Sequence, residues 1–146
     1  MSQHDEVSAL LGHAPRGAFE VVVTDGHGRP VVIRNAPLLD DGTPMPTLYW
    51  LVGDTERAAV SRLESAGGVR RAEAEVDAES LAKAHARYAA ERDAAIPPDH
   101  AAARPTGGVG GCRQGVKCLH AHYAWYLAGG DDPVGRWVSE RLEAAR

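Results

Sequence analysis

Short β-branched runs open the chain, and helical periodicity takes over from Asp54 onward. Phe19–Thr24 (FEVVVT) and Pro30–Arg34 (PVVIR) flank the segment DGHGR, whose Asp25-Gly26 step is a hairpin signal. Asn35–Pro46 carries three prolines and an Asp-Gly pair, which is loop chemistry, and Thr47–Val52 (TLYWLV) reads as a third strand. Upstream, Val7, Leu10 and Leu11 fall at helical spacing before Gly12 and Pro15, which predicts a short helix or arm over Asp5–Leu11.

Beyond the strands, Ala59, Val60, Leu63 and Ala66 make one helical face, with Asp54 placed to cap its start and Gly67-Gly68 to stop it. Val69–Val76 reads two ways, because Ala72, Ala74 and Val76 alternate with charged residues; a fourth strand is one of them. Asp77 or Ser80 opens a helix that reaches about Ala95 and is closed by Pro97-Pro98, with Leu81, His85, Tyr88, Arg92 and Ile96 on one stripe. Residues 97–111, rich in Pro, Gly and Ala, predict a flexible loop, and Val116–Ala128 the next helix, closed by Gly129-Gly130. Asp132-Pro133 starts the last helix, whose Val134, Trp137, Val138, Arg141 and Leu142 give the cleanest amphipathic stripe. The expectation is an α+β fold: a small antiparallel sheet of three to four strands from the N-terminal half, packed on one face against about four helices at 54–66, 78–95, 116–128 and 133–145. Residues 1–146 are expected to form a single domain.

Composition narrows the function classes. Hydrophobic residues make up 44% and charged ones 25% of the 146 residues, which is ordinary globular usage and excludes a largely disordered chain. With one Phe, the core must be mostly aliphatic. The net charge of −4, with basic residues scattered from Arg16 to Arg146, argues against nucleic-acid binding. No run approaches the ~20 apolar residues of a membrane span, and MSQHDEVSALLGHAP lacks a basic stretch followed by an apolar one. A cytoplasmic location is expected, in which Cys112 and Cys118 stay reduced.

Residues 107–130 concentrate the reactive side chains. On a continuous helix Cys118 and His122 are four apart and share a face, so they can supply two ligands to zinc or another transition metal, with Cys112 a third and His27 or His85 a fourth. This spacing matches no standard zinc pattern, and the same residues can equally be a small buried thiol and a hydrogen-bonded core histidine. A Cys–His nucleophile and base is a further reading, although the sequence fixes no oxyanion hole. The glycines at 107–111 point elsewhere: a glycine-rich approach to a helix bearing Arg113 and Lys117 suits an anion, with His85, Tyr88, Arg92 and His120 completing the pocket. It is not a Walker loop, because Lys117 is followed by Cys118. The functional expectation is an accessory module that binds a small anionic ligand or a protein, the alternative being a metal-binding protein or metal-dependent hydrolase built on the Cys118/His122 helix. Trp137 or Trp50, if exposed, would anchor another subunit.

The segments LLDDGTPMPTLYWL (Leu38–Leu51), SRLESAGG (Ser61–Gly68), AHARYAAER (Ala84–Arg92), VKCLHAH (Val116–His122) and GGDDPVG (Gly129–Gly135) resemble the bacterial, mainly actinobacterial, domain of unknown function family 501. The resemblance spans nearly the whole chain and carries no assigned activity. It implies a bacterial cytosolic origin and a genomic setting beside enolase, a septum-formation initiator and an exopolyphosphatase, a weak hint of a cell-division context. The family pattern commonly has cysteines where this chain has Asp25 and Gly53. The resemblance therefore implies that a metal site in relatives is either remade here with Asp25 or His27, or lost.

Overall fold

A computed structural model describes residues 2–145 and gives an α+β fold with six helices and one antiparallel sheet in the order β1-β2-β3. The strands are β1 (Phe19–Thr24), β2 (Pro30–Asn35) and β3 (Tyr49–Leu51). The helices are α1 (Gln3–Leu11), α2 (Asp54–Ser65), α3 (Gly68–Glu75), α4 (Ala78–Asp93), α5 (Leu119–Leu127) and α6 (Pro133–Ala144).

The sheet is covered on both faces. Val32, Tyr49 and Leu51 join the main core with residues of α2 to α6, whereas Ile33 and Val52 meet Val7 of α1 in a second, smaller core. Alternation along β3 explains the division, since neighbouring side chains point to opposite faces. Central β2 is consequently buried at every position except Arg34. The expected one-sided sheet is thus corrected: α1 is no loose arm but the second cover, its start fixed by a capping box between Ser2 and Asp5.

The β1–β2 turn is built by one side chain. Asp25 Oδ1 accepts from the amides of His27 and Arg29 at 2.8 and 2.9 Å, and Oδ2 from Arg29 Nε at 3.1 Å. Chiefly through the Arg29 amide bond, these contacts hold the Asp25 carboxyl below its ordinary value. Gly28 supplies the positive φ of 76° that the turn requires.

Two further expectations are corrected. Residues 69–75 are helical, not a fourth strand, and Val76 is the extended C-cap: Ala, Arg and Glu favour helix, and the alternation of small alanines left only Ala72 buried. Gly67, at φ 86°, makes the left-handed break that separates α3 from α2. The next helix begins at Leu119 instead of Val116, because Cys118 is the extended N-cap at φ −153°, ψ 128°. The cap of α2 is Gly53, with Asp54 in the first turn. The last helix forms as expected, with Asp132 as N-cap and Pro133 in its first turn.

Helix α4 presents a buried polar row at His85, Tyr88 and Arg92, spaced to face one side. The Tyr88 hydroxyl accepts from the amides of Leu48 at 2.6 Å and Tyr49 at 3.2 Å. Burial pushes this phenol up to about 12, and it stays neutral. Arg92 Nη1 donates to the carbonyls of Pro46 at 3.2 Å and Gly107 at 2.9 Å, while Nε meets Asp93 at 3.0 Å. Removing such a group leaves buried carbonyls unpaired and a cavity. We predict that Arg92→Ala lowers unfolding free energy by about 3 kcal/mol in urea denaturation, and Tyr88→Phe by about 2 kcal/mol, each from the desolvation of abandoned backbone groups. Near-neutral outcomes would show that water replaces these side chains.

Candidate functional site

Apart from a 3-10 turn at Val109–Gly111, the segment between Gly107 and Cys118 has no regular structure, so its position depends on bonds from outside. His85 provides two: its Nδ1 accepts from the Val109 amide at 3.1 Å, and its Nε2 donates to the Gly115 carbonyl at 2.9 Å. Only the neutral ring can do both, and burial lowers its proton affinity accordingly. Gly108 lies so close to this ring that an added Cβ would stand 2.6 Å from Nδ1. Arg92 holds the Gly107 end of the same segment.

The chain then enters α5, and an acid from another helix completes the helix start. Glu64, on α2, accepts the Leu119 amide at 2.8 Å through Oε2. Cys118 provides no side-chain cap, and Glu64 satisfies one of the free N–H groups in its place. Its other oxygen, Oε1, lies 3.3 Å from His120 Nδ1. Cys118 Sγ is 3.6 Å from the same nitrogen, and His120 Nε2 faces Ser61 Oγ at 3.1 Å. One donor atom from each of Glu64, Cys118 and His120 lies within 4.8 Å of the others, and each residue is half-buried.

This cluster raises the proton affinity of His120. The largest cause is the hydrogen bond to Cys118, aided by the nearby Glu64 charge and opposed by partial burial. Cys118 and His120 open into a cleft of about 510 Å³ with Lys117, Arg57 and Ser61, lined on one side by Trp50 of β3.

The remaining candidates fall elsewhere. Cys118 and His122 do not share a helical face, since Cys118 precedes the helix; the cysteine meets His120 instead. His122 is buried against Asp132, with Nδ1 2.6 Å from Oδ2, while Asp132 Oδ1 caps α6 through the amides of Val134 and Gly135. Cys112 donates its thiol to the Gln114 carbonyl at 2.7 Å, outside the cluster. His27 stays in the exposed hairpin turn, and Asp25 is engaged in shaping it. Asp25 and Gly53 line a different cleft, near α1, so these two positions do not converge with Cys118. In the anion set, His85, Tyr88 and Arg92 bind backbone groups and Arg113 is exposed outside the cleft; Lys117 and His120 remain within it. Trp137 is buried under Arg141, whose guanidinium sits 4.6 Å from the ring centre, and is not an exposed anchor.

Glu64, Ser61 and Arg57 escaped notice in the sequence. They lie on the solvated flank of an amphipathic helix, and their only local signal was their place in that pattern.

The sequence pattern of a family described as "Protein of unknown function (DUF501)" matches residues 21–140. No curated protein and no solved structure matches the chain. No helix among the described residues is long and apolar enough to cross a membrane.

In the metal-free protein, NMR titration should place His120 above and His85 below the ordinary histidine value of 6.5. Cys118→Ser should lower His120 more than Glu64→Gln does, because the sulfur contact is the larger cause. The reverse order would assign the shift to the carboxylate.

Proposed function

The chain belongs to the DUF501 family of proteins of unknown function, and we propose that it is a metal-binding protein with Glu64, Cys118 and His120 as ligands and zinc as the fitting ion. A single geometric observation carries this reading. Tetrahedral zinc, with about 2.3 Å to sulfur and about 2.0–2.2 Å to nitrogen or oxygen, sets S···N near about 3.6 Å and N···O near about 3.3 Å. The corresponding separations here are 3.6 Å between Cys118 Sγ and His120 Nδ1, and 3.3 Å between His120 Nδ1 and Glu64 Oε1.

The surrounding contacts support the same assignment. Ligating imidazoles commonly use their second nitrogen to bond a neighbour that fixes the ring. His120 Nε2 has Ser61 Oγ at 3.1 Å, and the spare oxygen of Glu64 is held by the Leu119 amide at 2.8 Å. Both ligand atoms are therefore oriented before an ion arrives.

With three protein ligands, a zinc ion would keep a position for water or substrate, the pattern of catalytic zinc rather than of closed structural sites. An ion held by these residues would supply Lewis-acid chemistry, acidifying water and polarising an ester or amide carbonyl, so a metal-dependent hydrolase is the activity class we propose.

Elemental analysis of protein purified without a histidine tag, after zinc loading and desalting, should find about one ion per chain, as a single site of this kind requires. Cys118→Ser and Glu64→Gln should each lose it, while Cys112→Ser should keep it. Retention in Cys118→Ser would overturn the assignment. Because zinc must displace a proton from His120, affinity should weaken as pH falls, beginning above the ordinary histidine value of 6.5. A zinc titration followed at several pH values reads this directly.

A further inference from the structure

The cleft beside the three proposed ligands carries its own chemical bias. Its charged lining residues are cationic or histidine: Arg57, Lys117, His13 and His120, with no Asp or Glu among them. That contrasts with a chain whose formal net charge is −4. Among the described residues, neither Arg57 nor Lys117 forms an ion pair, whereas Arg29, Arg87, Arg136 and Arg141 each face a carboxylate. Arg57 is anchored through Nη1 to the Leu10 carbonyl at 2.8 Å, which positions the guanidinium while leaving its other N–H groups available.

Local charge accounting sharpens the bias. A divalent ion on Glu64, Cys118 and His120 neutralises one carboxylate and one thiolate, leaving the two cationic side chains uncompensated. An anion entering the cleft meets the cationic side chains of Arg57 and Lys117. Trp50, half-buried on edge strand β3, offers an apolar wall beside that charge, suited to a flat ring or hydrocarbon.

We propose that the ligand of this cleft is a small organic anion, a phosphate ester or a carboxylate, whose charged group meets Lys117 and Arg57 while its apolar body lies against Trp50. The inference rests on the reading that the metal cleft is the working site, and it names the substrate class for it. Neither residue pair that defines it overlaps the three metal ligands. Phosphate ester and carboxylate share the negative oxygens that guanidinium and ammonium groups recognise, and they differ in charge and shape.

Calorimetric titration of the full chain with phenyl phosphate and, separately, benzoate tests the proposal, with and without one equivalent of zinc. At least one probe should bind, its affinity should fall with added salt, and Lys117→Gln should weaken it about tenfold, as loss of one charge-assisted contact implies. The tighter probe identifies the ligand class. Lys117 is exposed, so its replacement spares the fold; Arg57→Lys, which keeps the charge but loses the planar fork, supplies a second variant whose thermal melt controls for the Leu10 contact. Absence of binding by both probes, or binding indifferent to Lys117→Gln and salt, would overturn the proposal. Zinc stoichiometry in the same samples reports on the metal centre separately, so metal-loaded protein that ignores both anions would sink this inference alone.

Discussion

Everything around the cleft depends on the pairing of buried backbone groups by side chains of one helix. The described residues form three strands, and long stretches between Ala36 and Thr47 and between Ala94 and Cys118 have no continuous ladder to satisfy their amides and carbonyls. Buried, unpaired groups of this kind each cost about 1–3 kcal/mol. His85, Tyr88 and Arg92 of α4 meet that demand for three segments: Val109 with Gly115, Leu48 with Tyr49, and Pro46 with Gly107. Cys118 and Lys117 stand at the end of one of those segments, so their placement is inherited from α4.

The distinction between a residue that builds a site and one that works in it is visible along these helices. His85 and His122 are both buried, and both have a partner that fixes the ring: the Val109 amide and Gly115 carbonyl in one case, Asp132 in the other. His120 differs in being half-buried, facing a sulfur, a carboxylate and a hydroxyl together. Three histidines in similar sequence surroundings thus divide into two that support the backbone and one that faces the cleft.

How much of this could be read from sequence follows from the range of the forces involved. The β1–β2 hairpin, α4 and α6 were legible because their signals are local: an Asp-Gly turn, a repeating stripe, an Asp-Pro start. The start of α5 was not, since its first amide is satisfied by Glu64, fifty-five residues earlier. Extending that helix back to Val116 put Cys118 on the face of His122 and made the wrong pair look adjacent. The α4 stripe of His85, Tyr88 and Arg92 shows in the sequence, yet periodicity cannot distinguish an arginine awaiting a ligand from one already bound to carbonyls. Likewise Ser61 and Arg57 look like solvated surface until α5 and β3 are laid beside them.

The Asp132 cap has a consequence for the order in which the molecule assembles. It ties α6 to His122 across only ten residues, whereas His85 reaches Gly115 across thirty and Glu64 reaches Leu119 across fifty-five. Each doubling of a closed loop adds about 0.6 kcal/mol of entropic cost. The α5–α6 hairpin can therefore close early from nearby contacts, with the cleft sealed only when α2 arrives. By the same accounting, of these three contacts the Glu64–Leu119 one returns the most chain entropy when it is broken.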